Sequence, residues 1–317
     1  MIFQGECNGN YPRGPETGPI ENLEKQLMRK NMKLPTRVTT PMKSDFIPEL
    51  DNSHELCPDD VTFFQELIGI LRWAVEIGRV DILTELSMLS TYQASPRQGH
   101  LEQLLHIFAF LKKHPKLTLY FDAVEPVLDP SMFQHNSPEA FKEIYRDATE
   151  EIPPHMPDPR GRQVTTTAYV DASHAANKVT RRSHSGHILF VNRAPISWYS
   201  KRQNTVESST FSSEFIALRT CVEAVAALRY KLRMFGVPIS EPTNILCDND
   251  SVVKNSSKVE STLDKKHNAL AYHAVRWAVA AGSVRIGKVD GRYNLADAMT
   301  KRLTAQRRDA LFGNWTY

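Results

Sequence analysis

The sequence predicts an α/β fold: a mixed five-stranded sheet with flanking helices, preceded by a small helical unit. Three observations carry this expectation. Beyond Pro159, "QVTTTAYVDA", "SGHILFVNR" and "PISWYSK" are short β-branched and aromatic runs separated by turn residues, which reads as a three-stranded meander. Helical and strand patterns then alternate, which places helices on the faces of a mixed sheet. Before residue 122, by contrast, the only sustained periodicity is helical.

Each element follows in order. Residues 1–58 hold seven prolines (Pro12, Pro15, Pro19, Pro35, Pro41, Pro48 and Pro58) and only one short helical stretch, "ENLEKQLMRKN", so they read as a mostly extended linker. Residues 59–122 form the helical unit. Asp59 and Asp60 are placed to cap "VTFFQELIGILRWAVEI", which stops at Gly78. "RVDILTELSMLSTYQ" and "GHLEQLLHIFAFLKKH" follow, the last ending before Pro115. Such a unit can be a domain or a connection between larger domains. Residues 123–163 read as an acidic, proline-rich linker, and residues 164–304 as the α/β domain. Its meander leads into a long helix from about Ser212 to Phe235, stopped by Gly236 and Pro238. "TNILCDN" is a strand, "DKKHNALAYHAVRWAVAA" a helix closed by Gly282, "SVRIGKV" a strand, and "NLADAMTKRL" a last helix. Residues 305–317 are left as a C-terminal tail.

Composition bounds the function. The 317 residues suffice for about two domains, with 41% hydrophobic and 24% charged content. There is no apolar run long enough for a membrane span, so no membrane partner is expected. The N-terminus lacks a secretory pattern, and an intracellular location follows. The four cysteines have no CxxC spacing, which argues against zinc or a disulfide framework. The net charge of +3 conceals a division. Residues 120–159 hold nine acids against two bases, whereas residues 160–235 hold twelve bases against four acids. The basic side is either a solvated surface or one that neutralises phosphates.

Four acids stand out. Asp171 closes the first strand, sharing a face with Thr167 and Tyr169, and Asp248 closes "NILCD" in the same position. If those strands are parallel neighbours, both carboxylates meet at the carboxyl ends, the usual place for a site in an α/β sheet. Glu214 lies in the first turn of the long helix, in line with Leu218, Cys221, Val225 and Leu232, so it faces the sheet, where an unpaired charge is costly. Asp297 opens the last helix. Two strand ends and two helix starts delivering carboxylates suit a pair of hard divalent ions.

The same segments carry a family resemblance. "YVDASHAANKVTRRSHSG", "APISWYSKRQNTVESSTFSSEFIAL", "LRYKLRMFGVPI", "CDNDSVV", "KKHNALAYHAVRWAVAAG" and "NLADAMTK" occur in one order. Residues 165–302 thereby resemble the ribonuclease H domain of copia-type retrotransposon Pol polyproteins. "KLPTRVTTPM", "FFQELIGILRWAVEIGRVDIL" and "GHLEQLLHIFAFLKKH", within residues 33–122, resemble the stretch after the polymerase palm in the same polyproteins, the connection region of reverse transcriptase. The resemblance implies a ribonuclease H-like fold and a metal-binding tetrad of Asp171, Glu214, Asp248 and Asp297 holding two Mg²⁺, with Mn²⁺ as the alternative ion. It implies an RNA–DNA hybrid as substrate, the upstream palm and fingers of the reverse transcriptase as partners, and a virus-like particle in the cytoplasm, or the nucleus, as the location. Arg181, Arg182, Lys201, Arg202, Gln203, Asn204, Thr205 and Asn249 are the candidate hybrid contacts, each equally readable as a solvated surface residue. The chain departs from cellular ribonucleases H in one loop. Where those carry a histidine before the last acid, it reads "DGRYN". The nearest histidines, His267 and His273, lie on the preceding helix and read as ordinary surface or core residues. Asp250, two after Asp248, reads as a helix cap, with an outer-shell acid as the other reading.

The leading expectation is therefore endonucleolytic cleavage of the RNA strand of RNA–DNA hybrids. Polymerase activity is not expected, because no YxDD occurs and too little chain precedes the helical unit for fingers and palm. A DDE-type integrase would place its glutamate last, whereas the order here is Asp, Glu, Asp, Asp. The alternative is a truncated, non-catalytic fragment that only binds nucleic acid, since no family-like text precedes about residue 20.

Overall fold

The computed structural model describes residue 27 and residues 32–133, 138–263 and 268–313. Most of the proposed N-terminal linker and its helical stretch, together with His267, lie outside the described residues. Five strands form one sheet: β1 (Thr166–Ser173), β2 (His184–Val191), β3 (Ala194–Arg202), β4 (Thr243–Cys247) and β5 (Val284–Lys288), in the order β3-β2-β1-β4-β5. β1, β2 and β3 are antiparallel, and β4 and β5 run parallel to β1. The expected fold class, a mixed five-stranded sheet with flanking helices, is present.

The helical unit holds α1 (Pro58–Glu76), α2 (Leu83–Ser90) and α3 (Gln98–Lys113). Asp59 and Asp60 do not cap α1. Cys57 is the N-cap residue and makes no side-chain cap, while Pro58 occupies the first turn with both acids, where they oppose the helix dipole. The unit has its own core, built on Phe64, Leu67, Leu71, Leu101, Leu104 and Phe108. It also covers one face of the sheet. Trp198 Nε1 donates to Val75 O at 3.1 Å, Ser87 Oγ to Ser200 O at 2.7 Å and Thr84 Oγ1 to Ala298 O at 2.6 Å. A third apolar cluster, including Val80, Leu119, Ile188, Phe190 and Met299, fills the seam.

On the opposite face lie α4 (Pro138–Ile144), α5 (Thr210–Met234), α6 (Asp250–Ser257) and α7 (Ala269–Ala280). Ala168, Val170, Leu218, Cys221, Val225, Ile245, Val275 and Ile286 form the core between. Ser209 caps α5 by accepting from Ser212 N at 3.3 Å, a few residues before the expected start. The segment expected as a linker packs here as well. Phe141 is wholly buried in this core, with the Arg276 guanidinium 4.6 Å from its ring. Glu150 accepts from Arg229 Nε at 2.6 Å and Arg233 Nη1 at 2.5 Å, and Arg229 is 1% exposed. Prolines and acids disguised these few anchoring residues. The last predicted helix is only α8 (Asp297–Thr300), and the expected tail opens with α9 (Ala305–Phe312), whose Leu311 and Phe312 are buried in the seam.

His184 and His187, both on β2, are buried, and burial pushes each down to about 4 from the ordinary 6.5. The unfolded chain takes up protons below pH 6.5 and the folded chain does not until about pH 4. Stability contributed by keeping them neutral is thus complete above pH 6.5 and is lost as the pH falls through that window. At pH 5 the loss is about 2 kcal/mol for each histidine. Urea midpoints compared at pH 7 and pH 5 should show this fall, and His187→Phe should remove part of it; a midpoint independent of pH would contradict the assignment.

Candidate active site

Residues 167–170 of β1 pair with residues 244–247 of β4 in parallel, so Asp171 and Asp248 follow matched positions at neighbouring carboxyl ends. Asp171 is 1% exposed and sits on the β-strand face opposite Val170 and Ala172. Because α5 starts at Thr210, Glu214 lies just past its first turn rather than within it. Its neighbours along the helix, Leu218 and Cys221, are buried against the sheet, so the glutamate is held inward as its spacing predicts.

Asp297 is brought to the same place by Asn294. The Asn294 side chain is wholly buried, donates from Nδ2 to Val170 O at 3.0 Å and accepts from Ala296 N at 3.1 Å. It thereby ties the start of α8 to β1 beside Asp171. The helix crosses β2 where Gly186 stands opposite Asp171. A Cβ at Gly186 would lie 2.5 Å from Met299 Cβ and 2.7 Å from Thr300 Cγ2, so only glycine permits this approach.

The four expected acids therefore converge. Carboxylate oxygens of Asp171, Asp248 and Asp297 all lie within 4.8 Å of one another, and Glu214 and Asp248 form a second such group with Cys247 Sγ. Burial pushes Glu214 up to about 9, with Asp171 and Asp248 adding repulsion, and its Oε2 has no hydrogen-bond partner among the described residues. Burial also raises Asp171, while Lys301 and Thr300 pull it back. The donor set is hard oxygen, and the unpartnered buried oxygen and crowded carboxylates are what a divalent cation would satisfy, so the residues fit Mg²⁺ or Mn²⁺. Burial drives the Cys247 thiol well up.

Three residues absent from the predicted site complete it. Lys301 Nζ lies 2.5 Å from Asp297 Oδ1 and 3.2 Å from Asp171 Oδ2. Against the downward pull of burial, these two carboxylates hold its ammonium charged. Thr300 Oγ1 donates to Asp171 Oδ2. Arg307, from α9, donates to Asp297 Oδ2 at 3.0 Å, to Gly291 O at 2.9 Å and to Arg292 O at 2.6 Å, which fastens the "DGRYN" loop. The four-residue spacing of Asp297 and Lys301 was the available signal. Arg307 had none.

The other expected residues divide. Arg181, Lys201, Asn204 and Thr205 are exposed, and Arg182 and Arg202 are half-buried. Gln203 is turned inward, its Nε2 donating to Ser185 Oγ at 2.8 Å and Ser213 O at 2.9 Å, so its amide donors are already engaged within the protein. Asn249, rather than Asp250, caps α6, accepting from Val252 N at 3.2 Å; Asp250 pairs with Lys254 at 2.6 Å. His273 is exposed and hydrogen-bonds Tyr145 Oη at 2.7 Å, on α7 as expected.

No protein-family model matches the chain. Its relatives include retrovirus-related Pol polyproteins of transposons, as the motifs indicate. It is 25% identical over 278 residues to that of transposon RE1 from Arabidopsis thaliana, covering 88% of this chain and 16% of the polyprotein. To that of transposon TNT 1-94 from Nicotiana tabacum it is 24% identical over 287 residues, again 88% of this chain and 18% of the relative. The chain thus spans less than a fifth of the length of these relatives. Among solved structures, an N-terminal RNase H domain from Mycobacterium tuberculosis aligns with 48% of this chain and 99% of its own, at 15% identity and a TM-score of 0.33. LC11-RNase H1 in complex with an RNA/DNA hybrid aligns with 45% of this chain and 98% of its own, at 10% identity and a TM-score of 0.35. No helix among the described residues is long and apolar enough to cross a membrane.

Proposed function

We propose that the chain is a retroelement ribonuclease H that cuts the RNA strand of RNA–DNA hybrids during reverse transcription. The observation that supports it best is the convergence of Asp171, Glu214, Asp248 and Asp297, from four separate segments, on one pocket with an unpartnered Glu214 oxygen. These four would hold two Mg²⁺, or Mn²⁺. When bound, such ions supply activation of a water and neutralisation of charge on the leaving oxygen.

The protein's own residues fix the geometry. Asn294 and Gly186 bring α8 against β1, Thr300 orients the Asp171 carboxylate, and Lys301 and Arg307 hold the two oxygens of Asp297. Arg181, Arg182, Lys201, Arg202, Asn204 and Thr205 would be contacts for the hybrid, read by backbone shape and 2′-hydroxyls. The palm and fingers of the parent polyprotein are the partners upstream, and a cytoplasmic virus-like particle or the nucleus is the working compartment.

The test is incubation of a labelled RNA–DNA hybrid with the protein and Mg²⁺ or Mn²⁺. Cleavage of the RNA strand to 3′-hydroxyl and 5′-phosphate ends is expected, sparing single-stranded RNA and duplex DNA and abolished by a chelator. An uncut hybrid with both ions would overturn the reading.

A further inference from the structure

Asp297 stands on α8, which is a single helical turn, Asp297–Thr300. One turn costs more in chain entropy than its few hydrogen bonds return, so α8 stays where its neighbours hold it. The sheet supplies one side of that hold, through Asn294 and the close approach at Gly186. The helical unit supplies the other. Thr84, in the first turn of α2 and 2% exposed, donates from Oγ1 to Ala298 O at 2.6 Å, across 214 residues of chain. Carbonyls of a last helical turn lack intrahelical partners, and this one is satisfied from outside. Met299, next along, is wholly buried in the apolar seam with Val80 and Leu119.

The chain beyond α8 is anchored to the same unit. Arg302 donates to the backbone oxygens of Phe46 and Lys43. Arg308, on α9, donates to Asp81 O and lies 3.4 Å from the buried Glu85 carboxylate, with its guanidinium 5.4 Å from the Phe110 ring. The turn fixed by these contacts holds Thr300, whose Oγ1 donates to Asp171 Oδ2. It also holds Asp297, which offers a carboxylate oxygen within 4.8 Å of those of Asp171 and Asp248. Two of the four acids are thus placed by a segment clamped between the sheet and the helical unit.

We propose that α2 belongs to the frame of the acid site: Thr84 is a positioning residue for Asp297, and through it the helical unit sets how tightly the four acids hold a divalent cation. In this role the unit touches neither ion nor substrate. It raises the fraction of molecules in which α8 is docked, and the apparent metal affinity scales with that fraction. Nothing in the sequence of α2 announces the role, because the partner of Thr84 is a backbone oxygen far along the chain. The inference rests on the metal-site part of the nuclease reading.

Three full-length variants separate position from stability. Thr84→Val removes the hydroxyl and keeps the shape, Thr84→Ser restores the hydroxyl, and Ile107→Val trims the helical unit's own core. Hydrogen exchange in chelator reads α8 directly, at the Lys301 amide that donates to Asp297 O at 3.0 Å. Thr84→Val should speed exchange there about tenfold, the weight of about one buried hydrogen bond. Thr84→Ser and Ile107→Val should stay near the original. Calorimetric titration with Mn²⁺ should show a similar loss of affinity in Thr84→Val alone. In hybrid cleavage, its Mg²⁺ dependence should move to higher concentration, with the plateau and the KM for hybrid unchanged. Unaltered exchange and Mn²⁺ affinity in Thr84→Val would overturn the proposal. So would an equal loss in Ile107→Val, which marks general destabilisation, or an unmutated protein that binds no Mn²⁺. Failure of the nuclease reading shows differently: Mn²⁺ is bound and α8 responds to Thr84, yet no hybrid is cut.

Discussion

Asp171→Asn should lower Mg²⁺-dependent hybrid cleavage by at least about a thousandfold, with little change in melting temperature measured in chelator. Such a factor corresponds to about 4 kcal/mol of transition-state stabilisation. The substitution keeps the shape of the side chain, and its amide oxygen can still accept from Thr300 Oγ1. What it removes is one negative charge from a group whose oxygens lie within 4.8 Å of those of Asp248 and Asp297. Asp171 is buried and raised by that burial, so a neutral group there does not burden the metal-free fold. Stopped time courses with labelled hybrid measure the first effect and thermal melts the second. Equal cleavage by both proteins would remove Asp171 from the catalytic machinery.

Glu150→Gln should be the most damaging conservative change for stability, costing about 3–5 kcal/mol. The carboxylate receives Nε and Nη2 of Arg229 at 2.6 and 3.0 Å and both terminal nitrogens of Arg233 at 2.5 and 2.8 Å. Arg229 is almost completely buried, so an amide partner leaves an uncompensated charge under the sheet. Burial pushes the Glu150 carboxyl up, but the hydrogen bonds and charges of Arg229 and Arg233 win and hold it below the ordinary 4.5. A lowered folded value means the contribution is complete above pH 4.5 and disappears as the pH falls through the folded value. Denaturant midpoints at pH 7 should drop sharply in the variant, and the gap from the unmutated protein should close at strongly acidic pH. An unfolding free energy within about 0.5 kcal/mol of the original would place Glu150 among ordinary surface pairs.

The sheet was legible because its strands are short β-branched and aromatic runs and its turns are marked by polar and glycine residues. The four acids were legible because each sits at a strand end or helix start, where counting alone gives the face. Glu214 is the clearest case, since Leu218 and Cys221 fix its direction before any contact is known. What escaped was whatever depends on distant pairing. Phe141 and Glu150 looked like linker residues because their partners, Arg276, Arg229 and Arg233, lie far along the chain. Gln203 looked like a donor at the rim because nothing local reveals that Ser185 and Ser213 consume its amide. The cap of α6 was misassigned by one residue, from Asn249 to Asp250, because either side chain can cap a helix.

The contact between Lys301 and Asp171 spans 130 residues of chain. Asp171 stands at the beginning of that span, and Asp297 and Lys301 at its end. Chemical competence therefore has a schedule. During synthesis β1 and β2 can pair early, because little chain separates them. The pocket stays chemically silent until α8 has emerged and docked against Gly186. Pairing over such distances must overcome the entropy of closing long loops before any contact rewards it, which slows the final step. A nascent or prematurely ended chain would thus carry a folded meander and a basic surface before it carried a complete acid cluster. On the proposed reading, the surface that would hold nucleic acid forms before the acid cluster that would cut it.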